Sequence, residues 1–204
     1  MNIVRAYRMT QRRDSVERTR ERILEAAYGV WLDRPYDLVT LDAIAAAAGV
    51  SRQTVIRHFG SKDDLAVAVV AWQRPIEENA RAAHPGDTAT AVRRLVDRYE
   101  TMGDANVRLL ELEGRVAPID RLLTEARESH RGWIERTFAP WVDARRGARR
   151  EELVLALYAA TDVTVWKLLR RDLGASRSRV EIIIRQLVEG VLHPLEPVVE
   201  EGTS

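Results

Sequence analysis

Apolar residues recur along this chain at three- and four-residue steps, and nowhere do they alternate with polar ones in the two-residue rhythm of a half-buried strand. The first such face, Ile23, Ala26, Ala27, Val30 and Trp31, belongs to a helix expected to begin at Asp14 or Ser15, with Glu17 in capping-box register to Asp14. Arg34-Pro35-Tyr36-Asp37 ends it, because proline cannot continue the hydrogen-bond ladder. Thr40 caps a second helix, whose small apolar face of Ile44, Ala45 and Ala48 runs to Gly49. Ser51 caps a third, about Arg52 to His58, with Val55 and Phe59 turned to the core. Ser61-Lys62-Asp63-Asp64 is a further capping box and opens a long fourth helix carrying Leu65, Val69 and Trp72. Pro75 is expected to kink that helix or end it nearby.

His84-Pro85-Gly86-Asp87-Thr88 reads as a loop. Beyond it helices are expected over 88–102, 104–115, 118–144, 150–172 and 176–193, with breaks at Gly103-Asp104, Ala117-Pro118, Arg146-Gly147 and Gly174-Ala175-Ser176. The predicted architecture is all-α: an N-terminal three-helix DNA-binding module, then a larger C-terminal helical bundle. Residues 1–13 are expected to be a flexible basic arm with Arg5, Arg8, Arg12 and Arg13, either a disordered terminus or a DNA-contacting arm. Residues 14–62 form the DNA-binding domain and 63–204 the bundle, with the fourth helix bridging both.

The DNA-binding expectation comes from Thr40 to Leu65, TLDAIAAAAGVSRQTVIRHFGSKDDL. Two short helices meet at a glycine turn, and the second is apolar on one side and polar on the other. A helix of that kind can lay its polar side in a major groove. Arg52, Gln53 and Thr54 open it, where side chains most easily reach base edges; Arg pairs bidentately with guanine and Gln with adenine. Arg57 and His58 stand toward its other end, where phosphates are the nearer partners, with helix-end packing the other reading of His58. Lys62 and Thr40, each at a helix start, are placed to hold a phosphate, and Ser51 joins the set at the start of the reading helix.

The run Ala45, Gly49-Val50-Ser51, Thr54-Val55, His58-Phe59 and Ser61-Lys62 resembles the signature of the TetR family of transcriptional regulators. The specific likeness covers about residues 15 to 65; the remainder agrees in length and helical character. One position departs: the family usually has a phosphate-touching Tyr where this chain has Ile56, so that contact is lost or supplied by another residue. The resemblance supports His58 as a backbone contact. It also implies a homodimer joined through the last two helices, a palindromic operator, and release of DNA on binding a small molecule within the bundle.

Composition narrows the alternatives. Cys is absent, which excludes disulfides, thiolate metal sites and a cysteine nucleophile. No stretch approaches ~18 uninterrupted apolar residues, so no membrane partner is expected and a cytoplasmic location is. The net charge of +1 hides an asymmetry: residues 1–62 carry +4 and the remainder −3, with the positive end on the proposed DNA reader. No glycine-rich phosphate loop, Gly-x-Ser-x-Gly elbow or His-Glu-x-x-His spacing is present, and the four histidines are scattered. An enzyme, a cofactor and a metal are therefore not expected. Glu125, Glu128 and His130 read as an exposed charged face.

In the last two helices Leu153, Leu157, Ala160, Thr164, Lys167 and Leu168, and then Val180, Ile183, Ile184, Leu187, Val188 and Val191, give more apolar faces than one small bundle needs. They form a dimer interface or complete the monomer core. A small effector would meet Trp72, Tyr99, Met102, Asn106, Trp133, Phe138, Tyr158, Asp162 or Trp166, each also explicable as packing. Under the resemblance, Pro75 is a flex point through which a filled bundle could tilt the DNA module. The expected function is a ligand-released repressor; a ligand-independent DNA-binding protein or a transcriptional activator of the same fold is the alternative.

Overall fold

A computed structural model describes residues 3–193, with side chains from Asp14 onward. Ten α-helices and no strand occur among the described residues. Helix α1 spans Ile3–Asp33, so the chain is already helical through most of the stretch expected to be an arm. That stretch lacks Gly and Pro and is rich in Arg, Ala, Met and Gln, which favour helix. Asp14 therefore lies inside α1 and is not its cap. The side chains of Arg5, Arg8, Arg12 and Arg13 lie outside the described residues.

The chain divides into two compact units, and neither is contiguous in sequence. The first is Met1–Glu77 with Asp104–Thr124, the second Glu78–Gly103 with Glu125–Ser204, so the division does not follow the expected boundary at 62. In the first unit, α2 (Leu41–Ala48), α3 (Arg52–Phe59) and the start of α4 (Lys62–Ala80) close over α1. Ile23, Leu24, Ala27, Ile44, Val55 and Leu65 form their shared core, each at most 1 % exposed. Tyr36 and Ala66 build a second cluster with Leu112, Ile119, Leu122 and Leu123. The last turns of α5 (Thr88–Leu110) and the first of α6 (Ala117–Thr137) thereby belong with this unit. Pro75 sits within α4, which continues to Ala80.

The second unit contains the rest of α5 and α6, then α7 (Ala139–Val142), α8 (Gly147–Thr161), α9 (Val163–Lys167), a π-type turn at Leu168–Asp172 and α10 (Arg177–Leu192). Three expected boundaries move. α5 passes straight through Gly103: a Cβ there would lie 2.4 Å from the fully buried Trp166 ring, so the glycine serves close approach and not a turn. The helix expected over 118–144 stops at Thr137 and restarts as α7, with Pro140 in its first turn. The helix expected over 150–172 begins earlier, at Gly147, and breaks at Asp162. The Asp162 carboxylate accepts from the Thr164 N–H at 2.8 Å and caps α9, offering the backbone an alternative to continuing α8. No helix among the described residues is long and apolar enough to cross a membrane.

Candidate functional site

Local hydrogen bonds fix the α2–α3 pair before any long-range contact is considered. Thr40 Oγ1 accepts from the Ala43 N–H at 3.2 Å and starts α2. At its end Gly49 adopts the left-handed conformation, φ 63° and ψ 39°. The Val50 N–H then reaches back to the Ala45 carbonyl at 3.0 Å, and the Gly49 N–H to that of Ala46 at 3.2 Å, a Schellman closure. Ser51 Oγ accepts from the Thr54 N–H at 3.1 Å, and the two hydroxyls pair at 2.9 Å. Ser51 and Thr54 are thus partly engaged with each other, while Val55, 1 % exposed, pins α3 to the core.

What α3 leaves outward is cationic and unengaged. Arg52, Gln53 and Arg57 are exposed and make no hydrogen bond or ion pair with any described residue. His58 is half-buried; partial desolvation, then the charges of Arg57 and Arg20, lower its pKa, with Glu17 opposing. Arg20 of α1 lies 5.3 Å from the centre of the Phe59 ring, so this helix adds a cation at the same end of α3 that sequence reasoning did not single out. Ile56 is half-buried and brings no donor.

Lys62 has partners within the protein. Its ammonium donates to the Tyr36 carbonyl at 3.0 Å and the Val39 carbonyl at 3.2 Å, and sits 4.3 Å from the centre of the Tyr36 ring. The Tyr36 hydroxyl donates to Asp63; burial, then that carboxylate, push the phenol above its ordinary pKa. Lys62 therefore ties the turn after α1 to the start of α4. Of the capping box expected there only the N-cap half forms: the Asp64 N–H donates to Ser61 Oγ at 3.0 Å, while Ser61 Oγ donates to the Asp64 carboxylate at 2.6 Å and the Ser61 N–H goes to the Phe59 carbonyl at 3.1 Å.

The nine candidates for a ligand fall into both units. Trp72 and Asn106 belong to the first, where Trp72 meets Tyr28 edge-on at 6.3 Å, and the other seven belong to the second. Of the rest, Phe138 and Trp166 are fully buried; Trp166 Nε1 donates to Glu100 at 3.0 Å. Burial works against the Glu100 carboxylate, but bonds from Arg170 and Trp166 hold its pKa below the usual range. Asp162 is half-buried as the α9 cap, and Met102 is half-buried on α5.

Tyr99, Trp133 and Tyr158 do converge, around residues the sequence did not mark. His130 is not on an exposed face: it is 7 % exposed, because Trp133 and Ile134 follow it at three and four residues on the inner side of α6. Arg81 Nη1 lies 3.3 Å from His130 Nδ1. Guanidinium has no acceptor, so Nδ1 accepts, Nε2 carries the proton and donates to Thr161 Oγ1 at 3.0 Å, and Thr161 donates to the Leu157 carbonyl at 2.7 Å. His130 stacks on Trp133 at 5.3 Å and meets Tyr158 edge-on at 4.9 Å, while the Tyr99 hydroxyl donates to the Thr161 carbonyl at 2.8 Å. Burial, then the Arg81 cation, push the imidazole down to about 4, with Asp162 opposing. The helical register of His130 with Trp133 and Ile134 was the signal available in the sequence.

The profile of bacterial regulatory proteins, tetR family, matches residues 23–69. The HTH-type transcriptional repressor LfrR of Mycolicibacterium smegmatis is 32% identical over 166 residues, covering 69% of this chain and 87% of that protein. The HTH-type transcriptional regulator SrpR of Pseudomonas putida is 44% identical over 62 residues, which is 30% of this chain and 29% of SrpR. Among solved structures, a tetR-family regulator from Streptomyces coelicolor superposes with a TM-score of 0.69 at 21% identity, covering 86% of this chain and 79% of that one. Salmonella enterica GusR gives 0.66 at 18% identity over 85% and 95% of the two chains. These two likenesses are of fold.

Proposed function

Because this chain belongs to the tetR family of bacterial regulatory proteins, and so is a helix-turn-helix DNA-binding regulator of transcription, we propose that it is a repressor that holds a palindromic operator as a homodimer and leaves it when a small effector binds. The observation that carries this reading is the outer side of α3. Arg52, Gln53 and Arg57 stand there without internal partners on a helix fixed by two caps, so their hydrogen bonds are available to bases and phosphates. Repression is favoured by the likeness to LfrR, which is named a repressor.

The dimer is supported by α10. Val180, Ile184, Val188 and Leu192 fill their own unit at 3 % exposure or less, yet Ile182 and Leu187 on the same helix, and Leu155 on α8, are more than 40 % exposed. A second apolar face on the last two helices fits a partner copy. Two reading helices would then address half-sites about 34–36 Å apart. Tyr99, Met102, Trp133, Phe138, Tyr158, Asp162 and Trp166 remain the candidate effector contacts. An effector acts only through its preference between DNA-bound and free states.

Fluorescence anisotropy against DNA selected from a random pool, with excess non-specific competitor, tests the reading. Saturable binding to a palindrome, at two protomers per site, is expected. Selection of no sequence, or of a single half-site bound by one protomer, refutes it.

A further inference from the structure

The guanidinium of Arg81 is held with one edge unused. Nη1 is committed to His130 Nδ1, whereas Nε is buried without a hydrogen-bond partner and Nη2 makes no bond to any described residue. Nε–H and Nη2–H lie parallel on one side of the plane, the edge that takes both oxygens of a carboxylate at once. No described carboxylate pairs with this cation. Burial is the largest influence on its pKa and lowers it; Tyr99 and Glu78 favour its charge and Arg136 opposes it. His130 offers no compensation, because the bond to Thr161 keeps it neutral and accepting. A desolvated charge without a counter-charge is unfavourable in the free protein. The surroundings are aromatic: the Trp133 ring centre lies 5.7 Å from the guanidinium carbon, and Trp133 Nε1 donates to the Arg81 carbonyl at 3.1 Å, anchoring the residue's backbone.

We propose that the unpaired Nε/Nη2 edge of Arg81 is the binding site for a small organic monocarboxylate, whose apolar body packs on the rings around His130. This names the chemical class of the effector and so rests on the ligand-released reading above. The carboxylate would supply the missing counter-charge.

The test uses the full chain at one fixed concentration and ionic strength. Thermal unfolding is followed in sodium benzoate and sodium hexanoate, and in benzyl alcohol, hexan-1-ol and sodium sulfate as controls, for the native protein and for Arg81→Met. The carboxylates are expected to raise the melting temperature by about 3–5 °C at tenfold over their Kd, and the controls to leave it unchanged. Arg81→Met should lose that response, because it removes the guanidinium edge and keeps the apolar stem. Equal shifts with carboxylates and alcohols, an equal shift with sulfate, or an undiminished carboxylate shift in Arg81→Met each overturns the site. Operator anisotropy then separates the two claims. Carboxylate binding that depends on Arg81 but leaves DNA affinity unaltered keeps the site and sinks the effector role. Release by alcohols alone keeps ligand control and sinks the carboxylate.

Discussion

Acidification should unfold this protein through one identifiable imidazole. His130 has a folded-state pKa of about 4 against an ordinary 6.5, because burial and the neighbouring Arg81 cation both oppose its protonation. Between those values the unfolded chain binds a proton that the folded chain does not, so stability rises with pH at about 1.4 kcal/mol per unit. The contribution is fully present above pH 6.5 and is lost as the pH falls toward 4, a total of about 3 kcal/mol. At roughly pH 4.5 about 2–3 kcal/mol of it has gone, a large share of an ordinary domain's stability. The measurement is equilibrium urea unfolding by circular dichroism from about pH 7.5 to 4.5, at constant protein concentration. His130→Gln starts less stable, having lost the ring contacts with Trp133 and Tyr158. Over that range, however, it should lose about 2–3 kcal/mol less than the native protein. Carboxylates elsewhere titrate in both proteins and cancel in the difference. Parallel stability curves would refute a buried, neutral His130.

Three further outcomes are expected. Arg52→Ala or Gln53→Ala should relax base preference at one operator position, by about 1–3 kcal/mol of discrimination; unchanged selection from random DNA would remove their base-reading role. Lys62→Met, by freeing the Tyr36 and Val39 carbonyls, should lower urea stability by about 1–3 kcal/mol. Unaltered stability with uniformly weaker DNA binding would instead return Lys62 to a phosphate. Gly103→Ala should destabilise by about 1–3 kcal/mol, since the added methyl meets a Trp166 ring with no room to retreat; a melting curve matching the native protein would contradict that packing.

The DNA-reading pair was legible in the chain because its determinants are local. Thr40, Gly49, Ser51 and Ser61 each act on backbone groups three to five residues away, and Val55 follows from helical spacing, so residue order alone dictates the helix-turn-helix. The same locality explains the extended start of α1, where helix-forming composition prevails and Asp14 merely resembles a cap. Contacts between distant residues were settled only by which helix faces met. Gly103 read as a break until Trp166 came to lie against it, and the bonds of Lys62 to the Tyr36 and Val39 carbonyls depend on the turn that folds beside it. His130 looked like part of a charged surface because its neighbours in sequence are charged, whereas its neighbours in space are Arg81, Trp133, Tyr158 and Thr161. Backbone hydrogen bonding and helical periodicity operate within a few residues and are written in their order. Desolvation and close packing depend on which faces are brought together, and only the tertiary structure decides that.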